Sequence, residues 1–288
     1  MIDLLCIGEV MGEIRRDGRG FAVGYAGDTF NTAYYAKKAR ADLEVSYFTR
    51  IGRDPLSEGL LAWMRDNSLC ARHVQQDETR NLGLYAVATD ESGERSFSYW
   101  RDQSAARHMF GDSEKLPAAR CIYLSGITLA ILPPAARQRL MEQLASSDAL
   151  IAFDSNYRPS LWENVQTARE IMSAVWGMAH IALPSIDDEM DLFGDKAEQE
   201  TIDRFRKKQW IACAIKRGER GPVSLTAPVV GFPPAERVVD TTAAGDSFNG
   251  GYLAAFLAEK LEAQCLQAGH ELARRVVAHS GAIVPVPE

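Results

Sequence analysis

The five cysteines of this 288-residue chain, Cys6, Cys70, Cys121, Cys213 and Cys265, include no C-x-x-C pair. Their number is odd and three lie inside apolar runs, which counts against a disulfide frame or a zinc site and fits reduced, buried thiols. No apolar stretch approaches about 18 residues, so no segment is expected to span a membrane. The opening MIDLLCIGEV has no basic n-region before its strand-like run, so no export signal is expected and the expected location is cytoplasmic. Basic residues are also in deficit. Thirty-two Lys and Arg against 39 Asp and Glu leave a formal charge of −7, which argues against a protein that grips a nucleic-acid backbone. The phosphate loop GxxxxGK[ST] is missing, as are HExxH and GxSxG. No GxGxxG follows the first strand-like run, because Gly18, Gly20 and Gly24 have the wrong spacing. These absences count against a P-loop kinase, a zinc or serine hydrolase and a Rossmann dehydrogenase.

What is present is an ordinary globular composition, 46% hydrophobic and 25% charged, in a chain long enough to hide roughly three quarters of its unfolded surface. Apolar runs at Leu4–Ile7, Val45–Phe48, Ile122–Leu124, Leu150–Phe153, Ile181–Leu183 and Ile211–Ile215 alternate with helix-period segments. Those segments are Asn31–Ala39, Leu56–Asn67, Pro134–Leu144, Ala168–Trp176 and Glu198–Lys208. Near-continuous hydrophobic strands separated by helices predict a parallel sheet covered on both faces. Shorter β-like pieces are expected at Val223–Leu225, Val229–Phe232 and Arg237–Val239, then a helix from Gly245 and another at the C-terminus. Residues 9–25 and 82–100 break the rhythm with alternating residues and turn clusters such as Glu91–Gly93, and read as hairpins. Together they are expected to form a small β lid over the cleft of a single domain spanning 1–288.

The segment VDTTAAGDSFNGG, 239–251, carries the clearest chemistry. Ala243, Ala244 and Gly245 allow a tight turn into a helix whose unpaired N–H groups and dipole attract an anion such as a transferring phosphate. Asp246 stands at that helix start, either as an ordinary N-cap or as the acceptor of a hydroxyl proton in phosphoryl transfer. Gly250 and Gly251 weaken a helix by ~1 kcal/mol each, and so point to close approach by another group.

DTTAAGDSFNGG closely resembles the C-terminal signature of the PfkB-type, ribokinase-like carbohydrate kinases, usually DTTGAGD. The resemblance implies a three-layer α/β/α sandwich with a mostly parallel sheet and a β lid, and ATP with Mg²⁺ as cosubstrate and cation. It implies that Asp246 is the catalytic base and that the amides of Ala243, Ala244 and Gly245 form the anion hole. Ala243, replacing a glycine, is expected to serve if its φ is negative. Gly27, Asp28 and Asn31 in YAGDTFN match the family's sugar-binding residues, although Asp28 is also a natural N-cap. IGRDPLSEGL, 51–60, is typical of these kinases. Asp154, Asn156 and Arg158 in DSNYRPSLW would share one side if the preceding strand continued, and the family places this string between the sugar and nucleotide sites. Ser185 and Asp188 stand where the family commonly has N-x-x-E, which assists magnesium and phosphate; the acids there also suit the first turn of a helix. Lys216, Gly218 and Gly221 match a K-x-G-x-x-G turn at the nucleotide, and HSGAIVP, 279–285, matches the stretch beside the adenine pocket.

Tyr85 and the triplet Tyr99-Trp100-Arg101 are expected to face the cleft from the lid, unless Tyr99 or Trp100 packs in a lid-to-lid homodimer. A guanidinium reads a carboxylate with two parallel hydrogen bonds, whereas a neutral ketose would leave Arg101 desolvated without a partner. With GDTFN, NYR and HSGAIVP, the triplet resembles the branch that phosphorylates the 6-hydroxyl of 2-dehydro-3-deoxy-D-gluconate. The rival expectations are a fructokinase or other sugar kinase of the family and, further off, a non-catalytic sugar or nucleotide sensor on the same scaffold. A carboxyl of ordinary pKa near 4 cannot strip an alcohol early, so proton transfer to Asp246 is expected to be late.

Overall fold

Parallel pairing needs a crossover between successive strands, and the alternating runs supply one each time. The computed structural model describes residues 1–89, 95–111, 114–228 and 231–285. In chain order, β1 (Ile2–Ile7), β2 (Met11–Asp17) and β3 (Gly20–Ala26) precede α1 (Asp28–Ala39), β4 (Val45–Ile51) and α2 (Pro55–Asp66). Then come β5 (Val74–Gln76), β6 (Gly83–Thr89), β7 (Arg95–Trp100), β8 (Ala119–Ser125), α3 (Gly126–Ile131), α4 (Pro134–Ala145) and β9 (Leu150–Asp154). They are followed by α5 (Val165–Met178), β10 (Ile181–Ala182), α6 (Ile186–Phe193), α7 (Glu198–Arg206), β11 (Ala212–Ile215), β12 (Val223–Ser224), α8 (Ala244–Leu257) and α9 (Glu262–Val276).

The main sheet runs β12-β11-β10-β9-β8-β1-β4-β5, parallel except where β11 meets β12. Alternation along β1 sends Leu4 and Cys6 into one core with α1, α2, α8 and α9. Leu5 and Ile7 go into a second core with α3 to α7. The result is the α/β/α sandwich expected from the runs. Four cysteines are buried and Cys70 half-buried, all unpaired. No helix among the described residues is long and apolar enough to cross a membrane.

The second sheet has the order β3-β2-β6-β7, two antiparallel hairpins joined by a parallel β2–β6 pair. Register puts Glu13, Tyr85 and Tyr99 side by side on one face and turns Trp100 to the other. The expected turn Glu91–Gly93 lies outside the described residues, as do Val229 and Val230 of the expected strand Val229–Phe232. Arg237–Val239 forms no strand; the segment is exposed, and the Val239 N–H reaches the Val277 carbonyl instead. The six-residue α3 was not visible in the pattern because it is too short to show a helical period. Its Ser125 capping box appears only once the chain is folded.

Gly250 and Gly251 have a packing reason rather than a ligand. A Cβ on Gly250 would stand 2.7 Å from Tyr35 Cβ and 2.9 Å from the Thr32 carbonyl, and one on Gly251 would stand 2.8 Å from the Ala268 carbonyl. They let α8 lie close between α1 and α9.

Candidate active site

Ligands of open α/β sheets bind beyond the carboxyl ends of the strands. Here the ends of β1, β8, β9 and β11 and the start of α8 surround a cavity of about 970 Å³ roofed by the small sheet. Of the residues singled out from sequence, Gly27, Asp28, Asn31, Tyr85, Tyr99, Arg101, Asn156, Arg158, Ser185, Asp188, Lys216, Gly218 and Ala243 to Asp246 line it, and Gly221 does not. Gly221 instead has φ +71, and a Cβ there would stand 2.8 Å from Phe232.

The floor begins with the DTTAAGD loop. Asp240 accepts from the N–H groups of Thr242 and Gly281, tying the loop to the 279–285 stretch. Ala243 is the N-cap of α8 with φ 60 and ψ 15. The condition of a negative φ is therefore not met. The turn requires the left-handed conformation, which costs an alanine roughly 1–2 kcal/mol and a glycine nothing. Asp246 is then not the N-cap but the third residue of the helix. The Ala244 N–H bonds the Thr241 carbonyl at 3.1 Å, so one of the amides expected to meet an anion is already engaged within the loop. Lys216 Nζ adds charge there, 3.6 Å from where a Gly245 Cβ would be.

Asp246 is held by Asn31, whose Nδ2 donates to Oδ2 at 2.8 Å, while Gly27 N–H donates to Asn31 Oδ1. The amide of Asn31 thus joins the carboxylate to the first helix while lining the same cavity. Gly27 is the N-cap of α1 and Asp28 its first residue, so Asp28 is not a cap. Asp28 Oδ2 accepts from Ser125 Oγ and from Asn156 Nδ2 at 2.7 Å. Burial and the neighbouring charge of Asp28 push the Asp246 carboxyl well above the ordinary carboxylate range. Burial also raises Asp28, against the hydrogen bonds it accepts. In this setting the Asp246 carboxylate holds a proton more tightly than a free carboxylate.

Asp154 ends β9 and bonds Lys216 Nζ at 2.6 Å and Asn249 Nδ2 at 2.7 Å. The strand does not continue past it; Asn156 has φ 30, and a turn rather than alternation brings Asn156 and Arg158 to the same cavity. Arg158, half exposed, reaches the Tyr157 carbonyl at 2.7 Å and Asp188 Oδ1 at 3.3 Å. Asp188, raised chiefly by burial, sits with Asp187 and Glu189 in the first turn of α6, of which Ser185 is the N-cap. Among the described residues no group of three His, Cys, Asp or Glu is placed to hold a metal. A single carboxylate such as Asp188 suits a divalent cation whose other ligands are nucleotide phosphates and water.

The roof is different. Tyr85 is buried and donates its hydroxyl to Glu13 Oε1 at 2.7 Å. Tyr99 is 53% exposed and its ring clusters with those of Tyr85 and Phe97. Arg101 is buried and ion-paired to Glu9. A desolvated Arg101 without a partner is thus not the situation in this fold, and that ground for rejecting a neutral sugar falls. Sequence reading missed Glu9, Asn249 and Ser125. The usable signal for Glu9 was its place two residues past a buried parallel strand, at the crevice.

The family model for the pfkB family carbohydrate kinases matches residues 1–288. The chain belongs to this family. As a pfkB kinase it is 38% identical over 297 residues to the 2-dehydro-3-deoxygluconokinase of Haemophilus influenzae, covering 96% of this chain and 94% of that one. It is 36% identical over 302 residues to the Dickeya dadantii protein of the same name, covering 99% and 97%. Among solved structures it is similar to a PfkB protein from Polaromonas sp. JS666, with a TM-score of 0.84, 25% identity and 96% of each chain covered. The ribokinase-like fold expected from DTTAAGD is therefore the fold of this pfkB kinase.

Proposed function

We propose that this kinase transfers the γ-phosphoryl of ATP to the 6-hydroxyl of 2-dehydro-3-deoxy-D-gluconate. The observation that carries the reading is one cavity in which Asp246, beside the amides of Gly245 and Asp246, faces the lid's Tyr85, Tyr99 and Arg101. The names of the two relatives support the substrate, and the raised carboxyl of Asp246 supports the base. The sugar oxygen forms a bond to the γ-phosphorus as the bond to the β,γ-bridging oxygen breaks. Asp246 takes the hydroxyl proton, and ADP leaves. First-turn amides and Lys216 stabilise charge on the moving group without reorganising. Mg²⁺, when bound with ATP, supplies neutralisation of the phosphates, with Asp188 as the residue toward it. Asn156, Arg158, Ser185, Lys216 and Gly218 hold the nucleotide side; Gly27, Asp28 and Arg101 hold the sugar. Lid closure excludes water that would otherwise hydrolyse ATP.

The test is ADP release from the purified chain with 2-dehydro-3-deoxygluconate, its galactonate epimer, gluconate and fructose. Turnover highest with the keto acid is expected; fructose as the better substrate overturns the reading. Fructose is the second candidate because Glu9 already neutralises Arg101. A sensor with no ADP release from any sugar is a further outcome that overturns it. We also propose a cytoplasmic homodimer joined through the lid, whose exposed Phe21, Val23 and Trp100 would be covered there. A monomer by light scattering at micromolar concentration overturns the dimer.

A further inference from the structure

Glu9 is a carboxylate on the cavity wall that is only 2% exposed, and nothing in the phosphoryl transfer described above uses it. It follows β1 at the crevice, and both oxygens are spoken for by the end of the lid: Oε2 by Arg101 Nη2, Oε1 by Ser104 Oγ. The fold makes room for it twice. A Cβ on Gly83 would stand 2.7 Å from Glu9 Oε1, and one on Gly27 2.1 Å from the Glu9 carbonyl oxygen. A guanidinium has five donors in a rigid fork, and Glu9 takes one end of it. Arg101 Nε remains buried with no hydrogen-bond partner, a donor whose desolvation is uncompensated until an acceptor arrives.

We propose that Glu9 is a positioning residue that sets how Arg101 discriminates between sugars. Resting on the substrate reading above, it holds the fork so that its unpartnered edge meets the acid sugar's carboxylate. At the same time it cancels the arginine's charge. The acid is then recognised by directed hydrogen bonds rather than by net charge, and the pocket does not over-bind a product that carries both carboxylate and phosphate.

The test compares KM for 2-dehydro-3-deoxygluconate and for fructose in wild type, Glu9→Gln and Glu9→Ala, with thermal unfolding alongside. Glu9→Gln keeps an oxygen for Nη2 and removes the charge. It should lower KM for the acid by about tenfold relative to fructose. Glu9→Ala unmoors the fork and should raise KM for the acid by about tenfold relative to fructose. Opposite signs from two substitutions at one position are what a merely structural role does not produce. A wild type that prefers fructose overturns the substrate reading and this inference together. A wild type that prefers the acid, with both variants shifting the two sugars in parallel or not at all, overturns this inference alone. If Glu9→Ala does not fold, the Glu9→Gln ratio decides.

Discussion

The floor and the roof of the cavity are built on opposite principles. The floor gathers Asp28, Asn31, Asp154, Asn156, Lys216, Asp246 and Asn249 from two helices, two strand ends and the turn after one of them, and cross-links them by side-chain hydrogen bonds. Each group is held by another element, so removing one leaves a neighbour's charge buried and unpaired. The roof hangs on four strands with aromatic side chains, part of its surface open to water. Under the proposed function the difference separates two tasks. Electrostatic stabilisation of a moving phosphoryl needs fixed dipoles that do not reorganise, while admitting and enclosing a sugar needs a surface that is incomplete until it closes.

Breaking the floor at its centre should have the largest effect. Asp246→Asn is expected to reduce kcat by on the order of 10²–10⁴ while ATP binding, measured by calorimetry, changes little; near-normal turnover removes Asp246 from the base role. The same carboxyl predicts opposite pH trends. Because its folded pKa is raised, it must lose its proton before it can accept one, so kcat should rise with pH up to a point above the usual carboxylate range. For stability the sign reverses: the folded state binds the proton more tightly than the unfolded state. The contribution is complete below the unfolded pKa and is lost as pH rises through the folded one. The melting temperature of Asp246→Asn should therefore gain on wild type as pH increases across that window; a constant difference would sink the assignment.

Lys216→Met comes next, because it strands Asp154, which is 3% exposed. A loss of about 3–5 kcal/mol in denaturant unfolding is expected, together with a lower kcat, and an unchanged midpoint would show that the floor is not cross-linked as described. On the roof, Arg101→Ala should raise KM for the keto acid by more than KM for fructose; equal changes count against a carboxylate clamp. It also leaves Glu9 unpaired, so some stability loss accompanies it. The smallest change is Ala243→Gly, which relieves the left-handed turn and should stabilise by about 1 kcal/mol, read as a raised melting temperature. A destabilised variant would mean that the turn carries no strain.

Most of the framework was legible because periodicity is local. Leu4–Ile7 and Ile122–Leu124 announce strands buried on both sides, and DTTAAGD announces a tight turn into a helix. What the chain pattern did not disclose was partnership across large separations. Arg101 looked like a free cation because Glu9 is 92 positions away, and the bond from Asn31 to Asp246 was unseen because the two are 215 apart. Gly250 and Gly251 announced a close approach, but the helices that make it were unseen. The positive φ of Ala243 was missed because an alanine is a poor sign of a left-handed turn.

By itself, then, the amino-acid order determined the layering of this protein, the tight loop that opens the eighth helix and the carboxylate beside it, since each follows from spacing along a few residues and from the hydrogen-bonding limits of the backbone. Only the tertiary structure decided which charges neutralise one another and how strongly Asp246 holds its proton. Coulombic and desolvation energies depend on distance in space and on the surrounding medium, and neither is written in sequence separation.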